Sequence, residues 1–221
     1  MDRVPTTELL DHDAGSAQEV ATALADLRRI NRWFGGIATT MAMIRQVVRS
    51  TGKANFSWLE IAAASGDVPR SARDRLAKSG IRLAITLLDR APSHVVNANP
   101  GVVADALALP FRDASFDLVG CGLFAHHLSP EQLVRFVDEG LRVARVAVLI
   151  NDLVRHPLHM AAVYAGMPLY RGRLTRHDAP ASVRQAYTVE EMRGMLARTQ
   201  ADRVEIARHY LFRMGAILWK G

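Results

Sequence analysis

The sequence predicts an α/β fold, a mostly parallel β-sheet covered by helices on both faces, with a helical extension at the N-terminus. From residue 56 onward, apolar β-rich runs alternate with segments of helical period, which is typical of a parallel sheet. Before that point, apolar residues recur at steps of three and four. The 221 residues, 49% hydrophobic and 23% charged, fit one such domain with room for little more than the extension.

The first 50 residues are predicted to be helical, and Gly35 and Gly36 predict a break between two short helices. We expect residues 1–52 to form the extension and residues 53–221 the main domain. The predicted strands are 56–62, 81–88, 101–104, 116–120, 146–150, 204–209 and 212–219. The predicted helices of the main domain are 68–78, 130–144, 157–167 and 189–198, and the short connection between the second and third strands predicts one further, short helix.

Composition and charge exclude several function classes. The net charge is +6, but only three of the 28 basic residues are lysines and the arginines are scattered, so we expect no nucleic-acid partner. No apolar run approaches the roughly 18 to 20 residues that a membrane span needs, and the N-terminus is polar and acidic. The single Cys121 excludes an intramolecular disulfide, which fits a cytoplasmic location.

The stretch FSWLEIAAASGDVPR, residues 56–70, is typical of a strand, a tight turn and a helix. In open parallel sheets, ligands bind beyond the carboxyl ends of the strands, where a loop leads into a helix. Glu60 ends the strand, Gly66 can adopt a conformation closed to other residues, and Asp67 can cap the helix. The two acids favour a ligand with an ammonium or hydroxyls over a phosphate. The alternative is a purely structural turn.

Two further acids follow the next two predicted strands. Asp89 could accept hydrogen bonds from ribose hydroxyls, and Asp105 from an exocyclic amine such as that of adenine. Each of them alone could equally be a solvated residue at a strand end. Three acids at successive strand ends favour a nucleoside site.

Four segments carry a resemblance to a known family: WLEIAAASGDVP, LLDR, ADALALPFRDASFDLVGCGLFAHHL and INDLVRHPL. Over roughly residues 56–155 the chain resembles the class I S-adenosylmethionine-dependent methyltransferases, especially the small-molecule group that acts on quinone and polyketide-type acceptors. The resemblance implies a Rossmann-like, seven-stranded sheet with an antiparallel last strand, an enzyme, and S-adenosyl-L-methionine as cofactor. It places the methionine portion at Glu60, Ala62, Ala64, Gly66 and Asp67, the ribose at Asp89 and Arg90, the adenine at Asp105 and Ala106, and the sulfonium side at Cys121.

The chain departs from the family's pattern, an acid followed by three alternate glycines, because Ala62 and Ala64 replace two of the glycines. If both positions have negative φ, the cost is mainly steric. If both need positive φ, a penalty of roughly 2 to 3 kcal/mol would lower cofactor affinity on the order of a hundredfold. The altered loop therefore leaves a second interpretation open, a methyltransferase-like protein that binds a ligand or catalyses a non-methylating reaction.

His126 and His127 follow the fourth strand, where the reactive methyl group would lie. A histidine there can remove a phenol or enol proton at neutral pH, although one of an adjacent pair often only packs or caps a helix. The segment CGLFAHHL also lacks the proline-rich turn of base methyltransferases. We therefore expect methyl transfer to oxygen or carbon of a small phenolic, quinonoid or polyketide-derived acceptor, as in secondary metabolism.

The remaining candidates surround the expected acceptor. Asp152 and Arg155 either pair with each other, orient the substrate or hold a histidine in position, and Arg184 and Tyr187 are candidate substrate contacts. The sequence predicts no metal site, because Asp152, His156 and His159 lack a supporting cluster of ligands. In the extension, Trp33, Phe34, Met41 and Met43 could form an apolar lid, with Asn31 or Arg32 touching the substrate. The alternative for this segment is a helix packed on the domain or the surface of a homodimer.

Overall fold

The computed structural model describes residues 1–10, 14–92 and 100–221. The predicted short helix between the second and third strands lies outside the described residues. The strands are β1 (Asn55–Ile61), β2 (Arg82–Asp89), β3 (Gly101–Val103), β4 (Phe116–Gly122), β5 (Ala144–Leu153), β6 (Arg203–His209) and β7 (Arg213–Trp219). The α-helices are α1 (Ala17–Trp33), α2 (Gly36–Thr51), α3 (Asp67–Ala77), α4 (Pro130–Val143), α5 (Pro157–Ala165), α6 (Arg173–Gln185) and α7 (Val189–Leu196). No described helix is long and apolar enough to cross a membrane.

The seven strands form one sheet in the order β3-β2-β1-β4-β5-β7-β6. Strands β1 to β5 pair in parallel, and β7 runs antiparallel to both β5 and β6. The predicted seven-stranded α/β sheet with an antiparallel last strand is therefore confirmed. Because the chain crosses from β3 to the far side of β1, the order reverses between β1 and β4, and the crevice for a ligand opens at their carboxyl ends.

Each face of the sheet is covered by its own hydrophobic core. Helices α4 and α7 cover one face, where Leu133, Phe136 and Met192 are fully buried. Helices α2 and α3 cover the other, where Ile44 and Leu76 pack near Trp58. Helix α2 therefore forms part of the hydrophobic core on this face of the sheet.

Helix starts follow the expected chemistry at several points. Capping boxes begin α1 at Ser16, α4 at Ser129 and α7 at Thr188. Gly35 has a φ of 82° and separates α1 from α2, as the sequence predicts. Helix α6 is absent from the sequence prediction, because its interior Pro180 is a residue that normally ends a helix.

Residues 1–10, which we call the N-terminal strap, are not part of an α-helix, although the first 50 residues were predicted to be helical. The strap lies along α6. The amide of Val4 donates to the carbonyl of Arg184 at 3.1 Å, and the amides of Leu9 and Leu10 donate to the Asp178 carboxylate at 2.9 and 3.0 Å. These side-chain and backbone partners lie more than 165 residues away in the sequence, which explains why local patterns did not reveal the strap.

Candidate active site

A cavity of about 830 Å³ lies at the carboxyl ends of the central strands. Strand-end residues, helix α1, helix α6 and the strap all contribute to its walls. The predicted residues that line it are Asn31, Glu60, Ala62, Ala64, Asp67, Asp89, Arg90, Asp105, Ala106, His126 and His127. The three strand-end carboxylates and the two histidines therefore share one cavity.

The turn after β1 has a strained backbone. Ala62 has a φ of 51° and Ala64 a φ of 44°, both in the left-handed region that favours glycine. The amide of Ala64 donates to Oδ2 of Asp89 at 2.9 Å, which holds the turn in this conformation. Gly66 has a φ of 69°, and a Cβ atom there would lie 2.3 Å from Leu87 Cδ1. The alternative with positive φ is thus the one that the structure adopts.

Asp67 does not cap α3, contrary to the sequence prediction. The N-cap position belongs to Gly66, which has no side chain to accept a hydrogen bond, and Asp67 is the first helical residue. Its carboxylate instead accepts a hydrogen bond from Ser65 Oγ and lies 3.8 Å from a guanidinium nitrogen of Arg28 on α1. Asp67 therefore links the turn to the N-terminal extension.

Glu60 is buried at the end of β1, and this burial raises the pKa of its carboxyl to about 8. The neighbouring strand β4 has glycines at the two positions next to the Glu60 carboxylate, so no side chain there occupies its space. A Cβ atom at Gly120 would lie 2.8 Å from Oε2 of Glu60, and one at Gly122 would lie 3.6 Å from Oε1. Cys121 between them is buried in the core beneath and does not line the cavity, since side chains alternate along a strand.

Asp89 and Asp105 also organise their own loops. Oδ1 of Asp89 accepts a hydrogen bond from the amide of Ala91 at 3.0 Å, and Oδ1 of Asp105 accepts one from the amide of Leu107 at 2.8 Å. A carboxylate oxygen has two lone pairs, so the bond from Leu107 leaves acceptor capacity on Asp105. Asp89 is buried, whereas Asp105 is exposed.

His126 lies between two carboxylates. Its Nδ1 is 2.6 Å from Oδ1 of Asp152, and its backbone amide donates to Oδ2 of the same residue at 2.9 Å. Its Nε2 is 3.4 Å from Oε1 of Glu8. Burial opposes protonation, but the two carboxylates outweigh it and raise the pKa of His126 to about 10. The same contacts keep the pKa values of Asp152 and Glu8 below their ordinary values despite burial.

Glu8 brings the strap into this cluster. Its Oε1 accepts hydrogen bonds from Ser182 Oγ and Gln185 Nε2, both at 2.6 Å, and lies 3.9 Å from Nε2 of His127. Glu8, His126 and His127 each place one atom of metal-ligand type within 4.8 Å of the others. Because Oε1 already accepts two hydrogen bonds and a protonated His126 supplies a positive charge, we describe the group as an ion-pair network.

Asp152 and Arg155 do not pair with each other, because their side chains have separate partners. Asp152 contacts His126, whereas Arg155 lies 2.6 Å from Oε1 of Glu191 and donates to the carbonyls of Met1 and Ala186. Arg155 therefore joins the strap to the start of α7 and is absent from the cavity lining.

The other predicted substrate contacts separate into two groups. Asn31 lines the cavity, with Leu24, Leu27 and Ile30 on the same face of α1. Arg32 and Trp33 are exposed, Met41 and Met43 are buried in the core, and neither pair lines the cavity. The residues of α1 that line the cavity therefore mostly precede the segment predicted to form a lid.

Arg184 and Tyr187 also lie outside the cavity lining. Arg184 is exposed and donates to the Tyr164 hydroxyl at 2.9 Å. The hydroxyl of Tyr187 donates to the carbonyl of Leu128 at 2.6 Å, and the guanidinium of Arg3 covers its ring at 4.1 Å from the centroid. Both side chains have structural partners that explain their positions.

Sequence reasoning missed four charged residues of the cavity lining, Glu8, Arg28, Asp178 and Arg213. Arg213 is 1% exposed and opens strand β7. A charged residue in the otherwise apolar run FRMGAILW was the available signal for it. Nothing local distinguishes Glu8 from the other acids of the N-terminus.

Comparison with known proteins gives a family match over part of the chain and a shared fold. A family model described as a methyltransferase domain matches residues 59–148. The solved structure of the plantazolicin methyltransferase BamL, in complex with a triazolic desmethylPZN analog and SAH, superposes with a TM-score of 0.71 at 11% identity, covering 93% of this chain and 92% of that chain. No curated protein matches the sequence.

Two further structures are similar. A SAM-dependent methyltransferase from Aquifex aeolicus has a TM-score of 0.56 at 14% identity, over 80% of this chain and 89% of that chain. The CMeT domain of the citrinin polyketide synthase has a TM-score of 0.59 at 12% identity, over 82% of this chain and 51% of that chain. Residues 59–148 therefore resemble a methyltransferase domain, and the chain has the fold of solved S-adenosylmethionine-dependent methyltransferases, as its sequence predicts.

Proposed function

We propose that this protein transfers the methyl group of S-adenosyl-L-methionine to an oxygen or an activated carbon of a small phenolic, quinonoid or polyketide-derived acceptor. The observation that carries the proposal is the single cavity that joins Glu60, Asp89 and Asp105 to His126 and His127. The cavity is large enough for a cofactor with a small acceptor beside it. The solved neighbours include a polyketide synthase methyltransferase domain, which is consistent with such an acceptor.

The cofactor half of the cavity is assigned to the ends of β1, β2 and β3. Glu60 would face the methionine portion, Asp89 the ribose hydroxyls and Asp105 the adenine amine. A cationic ligand beside Glu60 would favour its ionised form, opposing the burial that raises its pKa to about 8. Cofactor binding should therefore release a proton near neutral pH.

The two histidines receive different roles. A His126 that is already protonated, with its pKa raised to about 10, has no free lone pair for a proton from the acceptor. We assign to it a positioning role, in which its positive charge holds Glu8 and Asp152 next to His127. The side chain of His127 is 18% exposed and lines the cavity, so we assign proton acceptance to His127.

Methyl transfer requires the nucleophile and the sulfonium to be held in line in a site closed to water. Leu24, Leu27 and Ile30 of α1 supply an apolar wall over the acceptor half, and the strap closes its far side with Glu8. The chain's own residues would thus bind, orient and enclose the reactants.

Two measurements test the proposal. Calorimetry with S-adenosylmethionine and S-adenosylhomocysteine should show binding of both, whereas absence of binding would favour a ligand-binding or non-methylating function. A panel of phenols, quinols and 1,3-dicarbonyl compounds should then reveal at least one acceptor, followed by release of S-adenosylhomocysteine. If the cofactor binds but no acceptor reacts, the proposed acceptor class is wrong and the proposed cofactor is still supported.

On an acceptor found in this way, His127→Gln should lower kcat by about 10² to 10⁴-fold, the usual contribution of a general base. His209→Gln on the edge strand β6 is a matched control outside the cavity and should leave kcat unchanged. Equal losses in both variants would contradict the role assigned to His127.

A further inference from the structure

Arg213 is a buried cation that the methyl-transfer machinery described above does not use. It is 1% exposed and lines the cavity from the start of β7. Burial lowers the pKa of its guanidinium to about 10, which still leaves it charged at neutral pH. Arginine is almost never fully buried without a partner, because an uncompensated charge in a protein interior is costly.

The partners of Arg213 are neutral. One terminal nitrogen donates to Oδ1 of Asn31 at 2.8 Å, and the other lies 3.5 Å from Oδ1 of Asn151. Across the described residues 1–10, 14–92 and 100–221, no carboxylate forms an ion pair with Arg213. Asp152 does act on it through space, but Asp152 is already paired with His126.

Asn151 is itself fixed by hydrogen bonds, so it helps to orient the guanidinium. Nδ2 of Asn151 donates to the carbonyl of Gly36 at 2.7 Å and to Thr40 Oγ1 at 2.9 Å. Both asparagines are buried and line the cavity. His159, also in the lining, has its pKa lowered by burial and by the charge of Arg213, so it adds no competing positive charge.

The position of Arg213 in the sheet assigns it to the acceptor half. Strand β7 is separated from β4 by β5 and lies three strands from β1. At about 4.8 Å per strand, its backbone is roughly 14 Å from the strand that carries the methionine-facing turn. Its register partner is Leu153, the last residue of β5, on the side of the histidines.

On these grounds, and resting on the proposed function, we propose that Arg213 binds a carboxylate of the acceptor, so that the substrate is an aromatic or polyketide-type acid rather than a neutral phenol. A guanidinium presents a planar fork of donors that matches a carboxylate, and the ion pair would supply the missing counter-charge inside the cavity. The carboxylate would then anchor one end of the acceptor while its nucleophilic atom faces His127.

The test uses the full chain saturated with S-adenosylhomocysteine and two probes of nearly equal shape, 2-hydroxybenzoate and 2-hydroxybenzamide. Calorimetry on the unmodified protein should show at least a tenfold preference for the carboxylate. Arg213→Gln should remove that preference, whereas Arg49→Gln, an exposed arginine on α2, should retain it. Equal affinity of the unmodified protein for both probes would overturn the proposal, even if Arg213→Gln fails to fold.

Binding of S-adenosylhomocysteine separates this inference from the proposed function. Arg213→Gln should bind it as tightly as the unmodified protein does, which would also show that the variant is folded. A parallel loss of S-adenosylhomocysteine affinity in a folded variant would assign Arg213 to the carboxylate of the cofactor and overturn the inference. If the unmodified protein does not bind S-adenosylhomocysteine, the proposed function itself fails.

Discussion

At the scale of single residues, the turn after β1 shows whether the strain at its two alanines affects folding or cofactor binding. Ala62 and Ala64 have the positive φ that would impose a penalty, and a hydrogen bond within the fold, from the amide of Ala64 to Oδ2 of Asp89, holds this conformation. The strain therefore reduces the stability of the fold and is not added again when a cofactor binds. Only contacts of the two methyl groups with the cofactor would affect affinity.

We predict that Ala62→Gly with Ala64→Gly stabilises the fold by about 1 kcal/mol. Relief of roughly 1 to 2 kcal/mol of strain at each site is largely offset by the greater freedom of glycine in the unfolded chain. Urea unfolding measures the change. Ala63→Gly, in the same turn at a residue without positive φ, should destabilise instead. A hundredfold gain in S-adenosylhomocysteine affinity in the double variant would show that the strain acts on binding.

The buried carboxyl of Glu60 should make the free energy of unfolding depend on pH. Its pKa is about 8 in the folded protein and near 4.5 when unperturbed, so the folded state holds a proton that the unfolded chain releases between these values. Stability without cofactor should therefore fall as pH rises through this window, by about 3 kcal/mol at pH 7. Glu60→Gln should remove that part of the slope in chemical unfolding between pH 5 and 8. Identical slopes in both proteins would contradict the buried, protonated carboxyl.

At the scale of elements, the N-terminal strap is the segment on which closure of the acceptor half depends. Arg3 donates to the carbonyls of Gln185, His126 and Leu128 at 2.7, 2.9 and 3.1 Å, so it ties the strap to both α6 and the histidine loop. Glu8 follows with its contacts to the histidines. The strap and the histidines should therefore become ordered together.

We predict that Arg3→Gln loosens the strap and lowers stability by about 1.5 to 3 kcal/mol, the range for hydrogen bonds that involve a charged group. Limited proteolysis should cleave within residues 1–10 at least tenfold faster than in the unmodified protein. Asp2→Asn, at an exposed neighbouring residue, is the control and should change neither quantity. Unchanged cleavage in Arg3→Gln would mean that other contacts hold the strap.

At the scale of the whole molecule, the cavity couples the sheet, helix α1, helix α6 and the strap, which are separate in sequence. A ligand that fills the cofactor half contacts the ends of three strands and should oppose global unfolding. The exposed Trp33 and Phe34 lie near the β6–β7 turn, since a Cβ atom at Gly35 would lie 2.9 Å from the carbonyl of Tyr210. A homodimer through this surface remains a prediction.

We predict that S-adenosylhomocysteine at a hundredfold excess over its Kd raises Tm by about 5 to 10 °C, since linkage contributes about 2.7 kcal/mol to a chain of this size. Differential scanning fluorimetry measures the shift. Adenosine, which lacks the amino-acid portion, should give a smaller shift at equal concentration. An equal shift with both compounds would mean that Glu60 and the turn after β1 do not contact the methionine portion.

The sequence alone determined the features that depend on local pattern. Alternating strand and helix periods gave the parallel sheet, and the order of the elements placed Glu60, Asp89, Asp105, His126 and His127 at the ends of its strands. Parallel strands bring their carboxyl ends to one edge, so position along the chain was enough to collect these residues. The motifs from residue 59 onward carried the resemblance to methyltransferases, because they are contiguous stretches of sequence.

The tertiary structure decided what depends on contacts between distant segments. It paired Asp152 with His126 rather than with Arg155, brought Glu8 to the histidines, and buried Arg213 between two asparagines. It also determined that Ala62 and Ala64 have positive φ, a conformation held by the hydrogen bond from the Ala64 amide to Asp89. Burial, charge balance and φ arise from three-dimensional surroundings, and no local sequence pattern specifies them.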